Sequence, residues 1–308
     1  MMDMNELIEP FARLVEDICT PAAVRRIEEG GETGAMWSAF VDSGFLDALV
    51  PEDAGGAGLS ALEAAPLISL LGRHCVPLPV GDTMVARALL AKAGREIPAG
   101  PIAIATGTGV TPFARTAAFL VTGSPEAPTA VAAAATQTGV HHDLDGYADV
   151  ADSEGLRPTS AVVRALLIAG AAGRVLEMTV AYANDRVQFG KPIGRQQAVQ
   201  QQLAILAEQV IAARIAAAIG VRSGFPARLL DAAIAKHGTS IAAARSAAIA
   251  HAMHGAIGIS EEYDLQLLTR RLHGWRLADG SESYWAAVLG GARLASTADT
   301  SVEFIRAA

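Results

Sequence analysis

The sequence predicts a mainly α-helical protein with a small β insert: an N-terminal helical domain over residues 1–98, an abbreviated middle β domain over 99–157 and a C-terminal helical bundle over 158–308. Three observations carry this reading. Ala161 to Gln188 contains no proline and is dense in good helix formers. Beyond it Val199, Leu203, Leu206 and Val210 recur at three- and four-residue intervals, the stripe of a core-facing helix. Between 99 and 157 the composition shifts to Thr, Val, Ala, Gly and Pro, with short apolar runs at 102–105 and 117–121 bounded by turn residues.

Each segment has its own justification. In the first, Leu7, Phe11, Leu14, Val15 and Ile18 fall at helical spacing. Pro51 and the Gly55-Gly56-Ala57-Gly58 run interrupt the helices, and Ser60 with Glu63 three residues on reads as a capping box for the next one. In the last, helices are expected over 161–188, 196–222, 227–253, 261–272 and 281–306. Gly255 ends the third of them and Ser260 caps the fourth. His237 lies on an apolar stripe and reads as a satisfied core or interface histidine. Glu261, Glu262 and Glu282 read as solvated first-turn carboxylates favoured by a helix dipole.

Composition excludes several function classes. A net charge of −8 and a pI near 5.4 argue against nucleic acid as the main partner, since phosphate backbones require a basic face. Two cysteines, Cys19 and Cys75, and no basic-then-apolar leader place the chain in the cytoplasm with free thiols. No run of 18 consecutive apolar residues occurs, so no membrane span is expected. His251 and His254 lack a third ligand at suitable spacing, so no metal is expected.

The chemistry concentrates at Asn184-Asp-Arg-Val-Gln-Phe-Gly-Lys-Pro-Ile-Gly-Arg-Gln-Gln197, where two helical patterns meet in a short cationic corner. Gly190 and Gly194 allow backbone conformations closed to other residues, and Pro192 forces Lys191 out of the helical region. Taken alone this is an ordinary helix hairpin with cations near a helix C-terminus. The full string resembles the signature corner of the acyl-CoA dehydrogenase family, flavoproteins that desaturate acyl-CoA thioesters. The order of Gly44-Phe-Leu, Val50-Pro-Glu, Gly55-Gly-x-Gly-Leu, Leu71-Gly-Arg and Pro77-Leu-Pro is similar to that family's N-terminal domain, and the resemblance covers nearly the whole chain.

The resemblance implies FAD as cofactor. It places Arg186 on the pyrophosphate of an FAD held mainly by a neighbouring subunit, Phe189 and Gln197 at the adenine end, and Gln188 and Ser281 among the cofactor contacts. A guanidinium fork suits phosphate oxygens and an aromatic face suits a planar ring. Gly255 and Gly258 match two glycines of the family's Gln-x-x-Gly-Gly-x-Gly loop, while Ala252 and Ala256 replace its Gln and second Gly. The family's flavin-facing Thr/Ser motif is absent from the β segment, where Thr106, Thr108 and Thr111 are the candidate substitutes.

Desaturation needs a carboxylate to take the α-proton while FAD takes the β-hydride. The family's Glu-Gly-Thr becomes Asp279-Gly280-Ser281, so Asp279 is the candidate base, about 1.5 Å short of a Glu. Its local alternative is a cap or turn residue ahead of Glu282. The family's other position for the base falls near Thr159, Ser160 and Ala161, none of which can serve.

Two readings therefore stand side by side: an acyl-CoA dehydrogenase acting on a fatty or steroid side-chain thioester, and a non-catalytic subunit supporting an active partner in a heteromeric complex. A related oxidase or nitro-compound enzyme on the same fold is a third. The resemblance further implies a homo- or hetero-oligomer, dimer or tetramer, with an electron-transfer flavoprotein as acceptor.

Overall fold

A computed structural model describes residues 4–107, 109–133, 144–148 and 154–307. Five helices open the chain: α1 (Met4–Ile18), α2 (Pro21–Glu28), α3 (Gly34–Asp42), α4 (Ala61–Arg73) and α5 (Val80–Lys92). Phe11 and Val15 of the predicted α1 stripe are fully buried. The Ser60 capping box forms: Glu63 N–H donates to Ser60 Oγ (3.3 Å) and Ser60 N–H to the Glu63 carboxylate (2.8 Å).

Short strands follow. β1 (Ile102–Ile104), β3 (Phe119–Gly123) and β4 (Pro128–Ala132) form one sheet in the order β1-β3-β4, parallel then antiparallel. β2 (Gly109–Thr111) pairs antiparallel with β5 (Gly146–Ala148). The sheet is tied to α5 by Thr83, whose hydroxyl accepts from Ile102 N–H at 2.9 Å.

The C-terminal half is built on α6 (Arg157–Asp185), which packs against α4, α7 (Gln197–Val221), α8 (Leu229–His254) and α9 (Leu265–Leu277). α6 starts four residues before the expected Ala161, because Pro158 sits in the first turn, where a missing N–H costs nothing. Glycines set how closely it packs. A Cβ on Gly170 would come within 1.8 Å of Ser69 O and one on Gly72 within 2.1 Å of Leu167 O, so α4 and α6 cross backbone to backbone. Both α6 and α7 are long and apolar enough to cross a membrane, but the apolar stretch of α6 is 83% buried within the protein and that of α7 only 39%. α6 is therefore the core helix, and α7 keeps an open apolar face with Ile211 and Ile215 one turn apart on it.

Two further expected elements differ. The helix over 281–306 divides into α10 (Glu282–Ala295) and α11 (Ser301–Ala307), because Ser296 turns extended and Thr300 and Glu303 exchange capping bonds at 3.2 Å. Ser260 does not cap α9. It donates to Ile257 O, closing a 3-10 turn over 255–259, and α9 begins only after Asp264.

Ion pairs tie α2 to α9 and to the residue before it: Glu28 receives Arg270 (2.7 Å) and Arg271 (2.5 Å), and Arg25 meets Asp264 at 2.7 Å.

Candidate functional site

The sequence-singled residues fall into two places. The first is the corner after α6, which folds as a two-stranded hairpin, β6 (Val187–Gln188) against β7 (Lys191–Pro192), turned by Phe189 and Gly190. Both turn residues have positive φ, +52° for Phe189 and +77° for Gly190. That conformation suits a tight hairpin but is strained for a bulky side chain. Phe189 is nonetheless 92% exposed, so nothing among the described residues rewards the strain. Arg186, Gln188 and Lys191 are exposed around it, and Arg186 makes no ion pair among the described residues. The hairpin base is firm: Arg186 N–H donates to Tyr182 O (2.9 Å) and Ile193 N–H to Arg186 O (2.8 Å). Gln197, the first residue of α7, is exposed beside it.

The glycine turn lies alongside. Gly255, at φ +65°, ends α8 with an open face. Gly258 is buried, and a Cβ there would meet His254 Cβ at 2.9 Å and His251 Nδ1 at 3.3 Å, so its lack of a side chain serves packing between α8 and α9. The ring of Tyr182, in the last turn of α6, stacks on His254 at 4.4 Å and joins this turn to the corner. His251 Nε2 pairs with Thr269 Oγ1 at 2.9 Å, and His254 Nδ1 with Ala250 O at 2.8 Å.

Asp279 sits elsewhere. Its side chain is only 3% exposed and meets the first turns of α6: Oδ2 accepts from Ser160 Oγ (2.7 Å) and Arg164 Nε (3.2 Å), and Oδ1 from Thr106 Oγ1 (2.9 Å). Arg164, fully buried, reaches on to Asp82 of α5, its Nη2 donating to both carboxylate oxygens at 2.6 and 2.5 Å. Its guanidinium also lies 5.5 Å over the buried Phe113 ring. Burial alone would lower the Arg164 pKa, but the Asp82 and Asp279 carboxylates override it and push it up. Lys236 of α8 is buried behind this turn with no carboxylate bonded to it among the described residues. Its ammonium donates to Arg276 O (2.7 Å), Gly280 O (2.8 Å) and Ser240 Oγ (3.3 Å), and burial lowers its pKa to about 7. Asp279 itself has φ +56° and offers its carbonyl to Trp285 Nε1 (3.1 Å).

Helical rise puts Arg164 and the corner about 30 Å apart along α6, so Asp279 and Arg186 of one chain stand at opposite ends of one rod. Ser281 caps α10 through Tyr284 N–H (3.4 Å), and His237 is satisfied by Glu282 O at 3.0 Å. Of the threonines, Thr106 bonds Asp279, Thr111 is buried in β2, and Thr108 lies outside the described residues. Asp82, Arg164 and Lys236 are the residues the sequence reading missed. The signal for Arg164 was a lone cation inside an otherwise apolar run from Ala161 to Ala172.

The chain matches the family model for the acyl-CoA dehydrogenase N-terminal domain over residues 3–97 and that for the C-terminal domain over residues 159–290. It belongs to the acyl-CoA dehydrogenase family. Among its relatives is the acyl-CoA dehydrogenase IpdE2 of Mycolicibacterium smegmatis, 32% identical over 294 residues, covering 89% of this chain and 94% of that one. The acyl-CoA dehydrogenase fold is equally clear. The ChsE4–ChsE5 complex from Mycobacterium tuberculosis superposes with a TM-score of 0.79 at 20% identity, over 96% of this chain and 100% of that chain. Butyryl-CoA dehydrogenase from Megasphaera elsdenii gives 0.71 at 18% identity, over 96% and 99%.

Proposed function

We propose that this acyl-CoA dehydrogenase family chain works as one subunit of a flavin-dependent acyl-thioester dehydrogenase assembly. It lends its corner to a flavin nucleotide held across a subunit boundary, and its Asp279 is an architectural group. The observation that carries this reading is the closure of Asp279. A general base must reach the proton it takes, whereas this carboxylate is buried, accepts from three side chains and is ion-paired with a guanidinium that is itself locked to Asp82. Withdrawing it would leave Arg164 half-paired in the core.

The corner fits the cofactor better. Arg186 stands exposed and without an ion pair among the described residues, and Phe189 holds a strained backbone with its ring in solvent, which suits a group completed by another chain. The residues that would hold FAD are Arg186 on phosphate oxygens, Phe189, Gln188 and Gln197 around the adenine, and the Gly255 backbone. Bound FAD supplies the hydride acceptor for desaturation. The open face of α7 and the two-component ChsE4–ChsE5 fold neighbour support an unlike family member as partner.

The test compares flavin content of the chain purified alone and co-expressed with an unlike family member, followed by anaerobic addition of acyl-CoA thioesters. We expect little flavin alone, full flavin in the assembly, and substrate bleaching that survives Asp279→Asn. One flavin per isolated chain, bleached by substrate and rendered inert by Asp279→Asn with flavin retained, would restore Asp279 as the base.

A further inference from the structure

The corner and the glycine turn lie on different helices, and one aromatic cluster joins them. Tyr182 accepts the Arg186 N–H on its carbonyl at 2.9 Å. Its ring stacks on His254 at 4.4 Å and 27°, and its hydroxyl donates to His254 O at 3.4 Å. His254 is the last residue of α8 and leads into the 255–259 turn. Tyr263, just past that turn, closes the cluster 5.2 Å from the His254 ring and 6.3 Å from Tyr182. The His254 proton is fixed on Nδ1 by Ala250 O, and the buried Nε2 has no hydrogen-bond partner among the described residues.

We propose that the Tyr182–His254–Tyr263 stack sets the spacing between the Arg186 corner and the Gly255 turn, so that both meet one ligand together, and that a proton arriving at His254 Nε2 uncouples them. This rests on the reading that both segments face a flavin nucleotide. A second N–H at Nε2 would be a buried donor without an acceptor, and relief comes from opening the turn to water. Burial already holds the His254 pKa below its ordinary value, with His251 on the same helix adding to the effect and the Ala250 carbonyl opposing it. The other titratable groups around the cluster are Tyr182, Arg174 and Asp185 on α6 and Tyr263 and Asp264 after the turn. Acid therefore favours the open form: below the ordinary histidine pKa the open turn binds the extra proton and the closed one resists it.

Amide hydrogen exchange of segments 186–190 and 255–259 in the full chain tests this, corrected for intrinsic rates and run from about pH 7 to about pH 5. We expect Tyr182→Leu to speed both segments about tenfold together and Tyr182→Phe to restore both. We also expect acid to speed both in the wild type and neither in His254→Phe, which keeps the ring and loses the titration. Tyr182→Leu loosening only one segment, or acid acceleration persisting in His254→Phe, overturns the proposal. FAD added to the partnered assembly is read separately. Protection of both segments is expected. Coupled segments that FAD leaves unprotected would overturn the nucleotide reading while keeping the stack, and protected but uncoupled segments would do the reverse.

Discussion

At the scale of single residues, the chain gathers buried charge around one guanidinium. Arg164 is shared by Asp82 and Asp279, and each carboxylate is buried. Replacing it with leucine leaves two buried acids without their cation, so we expect Arg164→Leu to lower unfolding free energy by about 3–5 kcal/mol in urea titration. Lys236 gives a second prediction, read from pH. Its pKa falls from 10.5 in the unfolded chain to about 7 when folded, so between those values the unfolded chain binds more protons at this site and stability rises with pH. Cys19 and Cys75, both raised from 9 to about 12 by burial, act in the opposite sense above pH 9, which leaves pH 7 to 9 as the clean window. There we expect a positive slope of up to about 1.4 kcal/mol per pH unit, abolished in Lys236→Met, by chemical denaturation at stepped pH.

At the scale of elements, close helix crossing does what capping and periodicity alone cannot. α4 and α6 touch through Gly72 and Gly170, where an added Cβ would collide with rigid backbone carbonyls. Gly170→Ala should therefore cost about 1–3 kcal/mol, although alanine is the better helix former, and thermal melts of the variant check it. Much of the element order was legible: the Ser60–Glu63 box, the α6-corner-α7 sequence and the stop at Gly255 all follow from local chemistry. The break between α10 and α11 was legible too, in Thr300 and Glu303, but the run of helix formers before it dominated the periodicity. The Asp82–Arg164–Asp279 cluster was not. Its members lie 82 and 115 residues apart, and no local spacing rule links residues that only tertiary packing brings together. The sequence named Asp279 through its motif but not what holds it, and a side chain's partners decide whether it is free to react.

At the scale of the molecule, α7 is the helix whose surface the chain leaves unfinished. Ile211 and Ile215 are more than half exposed on a helix apolar enough to be buried. If that face meets another subunit, Ile211→Arg should weaken assembly in sedimentation velocity while leaving the melting temperature of the separated chain unchanged. The Arg164 cluster has a further consequence, for the order in which the protein is made. Asp82 leaves the ribosome 82 residues before its cation, and Thr106 leaves 173 residues before the carboxylate it will hold. Over those 82 residues of synthesis the N-terminal helices carry a buried-to-be acid with no counter-charge, which opposes their final packing until Arg164 arrives. The turn at Asp279, made long after α5, completes the cluster that α5 begins.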